Sequence, residues 1–186
     1  CETVHLVTCL GERDPWAEFI TMHVKPNVTR KLFTRPDAPT TVKRRFTDTF
    51  LNTKMFEVSF LNDQPIPEGV EREIMAYLQQ AIPSYDLVLV ADFGHGLIGP
   101  RLVETLTGAR FLAVNAQTNS ANVGYNLITK YPRADYVCLH EGELRLAPHD
   151  KLGLLAALAE RAAGQLGASA LAVTQAQYCS TIYQRG

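Results

Sequence analysis

Apolar residues fall in two patterns along the chain, and the patterns predict different structures. Val4-His5-Leu6-Val7-Thr8-Cys9-Leu10, closed by Gly11, predicts a buried strand that ends in a turn. Asp14-Pro15 predicts a helix start, with proline near the first helical position and the helix running to about His23. Thr29 to Thr34, Thr40 to Thr47 and Lys54 to Phe60 are rich in Thr, Val and Phe and are separated by turn residues. They predict antiparallel strands with one wetted face.

From residue 66 the pattern alternates. Helices are expected at Pro67 to Ala81, Leu97 to Leu106, Asn126 to Tyr131 (short) and Lys151 to Leu166. Between and after them, short wholly apolar strands are expected at Asp86 to Ala91, Ala109 to Val114, Tyr136 to Leu139 and Ala168 to Val173, with a further strand at Ser180 to Tyr183. Continuous apolar strands alternating with helices predict an α/β fold, with a mainly parallel sheet covered on both faces. Such sheets bind ligands beyond the carboxyl ends of their strands, so chemistry is expected in the loops after residues 91, 114, 139 and 173.

The first three of those loops each admit two readings. Asp92-Phe93-Gly94-His95-Gly96 puts a carboxylate and an imidazole among glycines, which suits close approach to a ligand; the alternative is a turn in which Asp92 caps the next helix. Asn115 to Asn122 is a dense run of neutral hydrogen-bonding groups, suited to orienting a ligand or to forming a solvated turn and helix cap. His140-Glu141-Gly142-Glu143 offers two carboxylates and an imidazole for magnesium, or an ordinary capping arrangement. Thr174 to Ser180 is polar but lacks the glycines of a phosphate-cradling loop. No G-x-x-x-x-G-K-[ST] or G-x-G-x-x-G occurs, so the P-loop and the common dinucleotide fingerprint are excluded. In the strand-rich segment, a pleat sends Lys43 and Arg45 to one face and Arg44 to the other; the pair suits an anionic sugar or phosphate, or a charged, aggregation-resistant edge.

Composition narrows the classes. The 186 residues suffice for one domain with a real core, and 18 basic against 19 acidic residues leave no basic face for nucleic acid. No apolar run is long enough to span a bilayer. Cys1, Cys9, Cys138 and Cys179 are far apart, which favours free thiols and a cytoplasmic location over a zinc site or disulfide scaffold. The chain opens on Cys1 rather than Met and runs at once into an apolar segment, so it reads as a piece of something longer.

Taken in order, four segments resemble the ribokinase-like (PfkB) carbohydrate kinases, most closely the branch that phosphorylates heptose phosphate for ADP-heptose synthesis. They are Val7 to Asp14, Pro39-Thr40-Thr41-Val42-Lys43-Arg44-Arg45, Val90 to Gly96, and Tyr136 to Glu143. The resemblance implies a three-layer ribokinase-like fold, incomplete at both ends, with an α/β core in residues 1–28 and 61–186 and a small antiparallel β lid in 29–60. It implies ATP- and magnesium-dependent phosphoryl transfer to a sugar or sugar-phosphate hydroxyl. The sugar falls to Lys43, Arg45, Asp92 and His95, the nucleotide to Asn115, His140, Thr174 and Ala176, and magnesium to Glu143. The family's catalytic base, in a Gly-Ala-Gly-Asp segment, is expected beyond Gly186, so the chain alone is expected to be inactive. A homodimer through the lid and a fused or partner nucleotidyltransferase also follow from the resemblance.

Several positions depart from the family pattern. His140 stands for Asn, His95 for Lys, and Ala176 and Cys179 for two glycines of the nucleotide segment, where added side chains crowd backbone contacts. The departures at His140, Ala176 and Cys179 favour a non-catalytic sugar- or nucleotide-binding relative as the alternative. A nucleotide-sugar enzyme on the same sheet is a third reading.

Overall fold

The computed structural model describes residues 1–12, 16–51, 53–119, 122–176 and 179–184. The expected helix start at Asp14-Pro15 lies outside the described residues, as do Ser120 and Ala121 of the neutral loop and Gln177 and Tyr178 of the loop before Ser180. The chain divides into two compact units, one of Cys1–Ile74 with His95–Leu97, the other of Met75–Gly94 with Ile98–Gly186.

In the first unit, β1 (Val4–Gly11), α1 (Trp16–His23) and β2 (Val28–Arg35) follow one another, and β1 pairs with β2 in parallel from Val4 opposite Val28 to Gly11 opposite Arg35. This corrects the expectation that residues 29–34 are the first of three antiparallel strands. Thr, Val and Phe mark a strand but not its direction; the direction follows from the crossover through α1, which returns the chain to the end where β1 began. Gly11 is required where β1 closes: a Cβ there would lie 2.3 Å from the Thr40 nitrogen.

β3 (Val42–Asp48) and β4 (Thr53–Phe60) form the expected antiparallel pair. Val42 faces Phe60, Arg44 faces Val58 and Phe46 faces Phe56, so one face of the ribbon is apolar with a single cation. The Phe46 and Phe56 rings stack with centroids 4.4 Å apart, and the Arg44 guanidinium lies over Phe60. Lys43 opposite Ser59 and Arg45 opposite Glu57 make the polar face.

α2 (Glu68–Ala81) begins with Glu68 and Glu71 in its first turn, where carboxylates suit the helix dipole. In the second unit, β5 (Val88–Asp92), β6 (Leu112–Ala116), β7 (Tyr136–His140) and β8 (Ala170–Thr174) pair in parallel in chain order, and β9 (Ser180–Gln184) closes the sheet antiparallel to β8. The helices α3 (Pro100–Leu106), α4 (Glu141–Leu146) and α5 (Leu155–Leu166) lie in this unit, as does the second half of α2 from Met75. Leu112, Val114, Val137, Leu139, Leu171 and Val173 are buried in the strands, and α5 contributes Leu158, Ala159, Ala162, Ala163 and Leu166 at helical spacing. Gly167, at φ 66, ends α5 in the left-handed conformation that glycine tolerates.

Several boundaries move for local reasons. α3 starts at Pro100 rather than Leu97, because the residue before a proline is driven extended, and Gly99 is so, at φ −87 and ψ 177. α5 starts at Leu155 rather than Lys151, because the Asp150 carboxylate accepts from the Leu152 and Gly153 N–H groups and holds a turn there. The short helix expected at Asn126 to Tyr131 is one 3-10 turn, Ile128–Lys130. α4 is the short helix that the capping alternative at His140-x-x-Glu143 implies. No helix among the described residues is long and apolar enough to cross a membrane, and Cys1, Cys9, Cys138 and Cys179 are free thiols.

Candidate functional site

Asp92 ends β5 as a buried carboxylate, 3% exposed. Its Oδ1 accepts from the Gly94 N–H at 3.0 Å and from Asn126 Nδ2 at 3.3 Å. Its Oδ2 accepts from the Tyr131 hydroxyl at 2.8 Å and forms an ion pair with Lys130 Nζ. Burial, reinforced by the neighbouring Asp92 charge, pushes the Tyr131 hydroxyl far above its ordinary range, so it remains a donor. Four donors use the roughly four lone-pair positions a carboxylate offers. Asp92 therefore anchors the turn that follows it. It does not cap α3, whose N-cap is Gly99.

Asn115, Asn119 and Asn122 of the neutral run after β6 spend their side-chain amides on the protein's own carbonyls. Asn115 Nδ2 donates to the Cys138 carbonyl at 2.7 Å, tying β6 to β7. Asn119 Nδ2 donates to the Phe93 carbonyl at 3.0 Å, and Asn122 Nδ2 reaches the Phe93 and Gly94 carbonyls at 3.2 and 3.0 Å. Gly94 (φ +67) allows this close approach, since a Cβ there would lie 2.1 Å from Asn122 Nδ2. The loops after β5 and β6 are thus cross-braced by amides.

At the end of β7, His140 and Glu143 form a capping box on α4. His140 Nδ1 accepts from the Gly142 N–H at 3.1 Å, while Glu143 Oε2 accepts from the His140 N–H at 2.7 Å. Glu143 Oε1 also accepts from the Thr118 N–H at 3.0 Å, so one carboxylate joins the loops after β6 and β7. The neighbouring Glu141 accepts from Gln175 Nε2 at 2.8 Å and pairs with Arg145 at 2.8 Å. Those two contacts, Gln175 first, hold the Glu141 carboxyl below its ordinary range. Thr174 ends β8 opposite His140, and Ala176 follows at φ 50, a left-handed conformation costly for a residue with a Cβ.

The structure thus gathers Asp92, Asn115, His140, Glu143, Thr174 and Ala176 at the carboxyl ends of β5 to β8. Lys43, Arg45 and His95 lie in the first unit. Lys43 and Arg45 share the polar face of the β3–β4 ribbon; Arg45 is paired with Glu57 at 2.8 Å, and Lys43 has no ion pair among the described residues. His95 Nδ1 lies 2.9 Å from Asp63 Oδ1. Sequence reasoning missed Asp63, Asn126, Lys130 and Tyr131. Their partners lie 32 to 39 residues away, and the one local signal was the cluster of polar residues around the 3-10 turn.

Among the described residues no group of three or more His, Cys, Asp or Glu side chains is placed to hold a metal. Each Glu143 oxygen has one backbone partner and a lone pair to spare. That suits a magnesium ion arriving on nucleotide phosphates with most of its waters, not an ion caged by protein. A cleft of about 300 Å³ beside α5, lined in part by Ile128, Tyr131, Pro148, Leu158 and Gln165, contains none of the residues the sequence singled out and shares only Tyr131 with the Asp92 network.

No family model matches the chain. Among curated proteins, the bifunctional protein HldE of Rhodopseudomonas palustris (strain BisA53) is 26% identical over 171 residues, covering 85% of this chain and 32% of the relative. The bifunctional protein HldE of Wolinella succinogenes is 30% identical over 78 residues, covering 42% of this chain and 16% of the relative. The chain therefore spans about a third or less of the curated relatives it matches. Ribokinase from Giardia lamblia superimposes with a TM-score of 0.70 at 16% identity, over 97% of this chain and 59% of that one. The tetrameric inhibited form of phosphofructokinase-2 from Escherichia coli does so with a TM-score of 0.70 at 9% identity, over 98% of this chain and 60% of that one. The fold is ribokinase-like, and the relatives support the heptose branch of the ribokinase-like carbohydrate kinases that the motifs resemble.

Proposed function

From a ribokinase-like fold and heptose-branch relatives, we propose that this chain forms part of an ATP- and magnesium-dependent carbohydrate kinase acting on a sugar or sugar-phosphate hydroxyl of the heptose-phosphate type. One observation carries the reading. The residues assigned to nucleotide and magnesium lie at the carboxyl ends of adjacent parallel strands β6, β7 and β8, where such sheets bind ligands. Phosphoryl transfer asks a protein mainly for positioning and charge neutralisation. On this reading Glu143 holds water-coordinated magnesium, and Asn115 and the loop after Thr174 frame the nucleotide. Lys43 and Arg45 face an anionic substrate. Asp92 acts through its turn as a positioning residue.

The 186 residues contain no Gly-Ala-Gly-Asp segment, so the assay belongs on the longest natural protein that includes them. ADP release with magnesium, ATP and a panel of sugar phosphates is the expected result. Nucleotide binding without turnover across the panel overturns it in favour of the second reading, a binding relative without catalysis. Ala176 is the observation that favours that second reading, since it holds a glycine-like backbone with a side chain attached. Ala176→Gly should stabilise the fold by about 1 kcal/mol, read by urea denaturation. On the kinase reading it should also tighten ATP binding.

The apolar face of the β3–β4 ribbon is exposed at Phe46, Phe56 and Phe60, and a two-stranded ribbon is marginal in water by itself. We propose that a second copy covers it. Sedimentation should give a dimer, with Phe56→Lys monomeric; a monomeric parent refutes the arrangement. A fused or partner nucleotidyltransferase, in a cytoplasmic setting, completes the proposal.

A further inference from the structure

His95 lies between two glycines in left-handed backbone conformations, Gly94 at φ +67 and Gly96 at φ +77. At Gly96 a Cβ would come within 2.1 Å of the Gln64 carbonyl oxygen, so glycine is needed for the chain to pass against residues 62–66. That segment is fixed in turn. The Ile66 N–H donates to the Gly96 carbonyl at 3.1 Å, the Gln64 N–H to Asn62 Oδ1 at 3.0 Å, and the buried Arg35 guanidinium to the Gln64 carbonyl at 3.3 Å. Arg35 is itself clamped by Asp37 at 2.8 Å. The framework brings Asp63 Oδ1 to 2.9 Å from His95 Nδ1.

An ionised carboxylate only accepts, so in the neutral ring Nδ1 carries the hydrogen and the lone pair is at Nε2. The side chain is 11% exposed, and Nε2 is buried with no hydrogen-bond partner among the described residues. Buried polar atoms in native proteins are nearly always paired, so an orphan needs an explanation, and a partner from outside the protein is one.

Resting on the sugar-kinase reading above, we propose that Asp63 and His95 form a hydroxyl-recognising pair: Nε2 accepts a hydrogen bond from a hydroxyl of a polyol, and Asp63 is the positioning residue that fixes the tautomer. A hydroxyl has a hydrogen to give. A fully ionised phosphate has none and would meet the lone pair with like polarity. Lysine, usual at this position in the branch the chain resembles, carries three donors and no acceptor. Histidine reverses that polarity, so the pair selects for a hydroxyl rather than for the anionic end of a substrate.

The test is nuclear magnetic resonance on the longest natural protein that includes these residues, labelled with ¹⁵N-histidine, with the His95 signals assigned by their loss in His95→Gln. The probes are pentoses, hexoses and heptoses, free and phosphorylated, with sulfate, an oxyanion that has no hydrogen to give near neutral pH, as the contrast. The expected result is a ring protonated at Nδ1 and bare at Nε2, with the Nε2 resonance moved by at least one sugar and left in place by sulfate. Asp63→Asn should mix the tautomers and weaken that sugar about tenfold. His95→Gln, which keeps an acceptor, should bind within a few-fold of the parent, whereas His95→Lys should not bind. A ring protonated at Nε2, a resonance that no sugar moves, an equal response to sulfate, or an Asp63→Asn chain with unchanged tautomer and affinity overturns the proposal. Failure of the kinase reading is separately visible as sugar-responsive Nε2 in a chain whose natural parent transfers no phosphate to any member of the panel.

Discussion

Replacing Asp92 with alanine is expected to cost about 3 kcal/mol of stability, the lower end of what breaking a buried ion pair costs. The carboxylate is the common acceptor for the Gly94 N–H, Asn126, Tyr131 and Lys130, and its removal strands the Tyr131 hydroxyl, which is buried. Lys130 is partly exposed and can turn toward water, which keeps the loss from being larger. Tyr131→Phe removes a single hydrogen bond and should cost about 1 kcal/mol. Urea titrations of the three chains read the difference. An Asp92→Ala chain as stable as Tyr131→Phe would show that the buried network does not hold the turn.

Glu143→Gln is expected to lower phosphoryl transfer in the natural parent by about 10- to 100-fold, the range seen when a residue orienting a metal's ligands is lost. Its effect on stability should be smaller, about 1 kcal/mol. Glutamine has one acceptor oxygen for two backbone donors, so either the His140 or the Thr118 contact is lost. Raising magnesium should recover part of the activity if the carboxylate acts through the ion. Equal losses at every magnesium concentration would assign Glu143 to the capping box alone.

Both positions belong to motifs visible in the sequence, and in both the tertiary structure changes what the residue does. His140-x-x-Glu143 admitted a magnesium ligand or a helix cap, and the capping box is present with the carboxylate also reaching Thr118. Asp92 stood out for its place among glycines, but Tyr131, Asn126 and Lys130, which determine its environment, lie outside that motif. The Asn-rich run stood out for its density, yet Asn119 and Asn122 turn back onto the Phe93 and Gly94 carbonyls. Asp63 gave no signal, because a lone aspartate in a loop becomes informative only when His95, 32 residues away, lies against it.

What the sequence determined by itself is the content of short windows. The apolar runs of β5 to β8, the helical spacing of buried residues along α5 and the Gly167 stop are set by neighbours within a few residues, where side-chain periodicity and backbone sterics act. Which distant groups meet is fixed by the tertiary fold and not by any local window. The parallel pairing of β1 with β2, the saturation of Asp92 by Tyr131 and the bare nitrogen of His95 all depend on contacts across more than twenty residues. A buried polar group must find its partner wherever the fold brings one, and a local pattern does not record where that is.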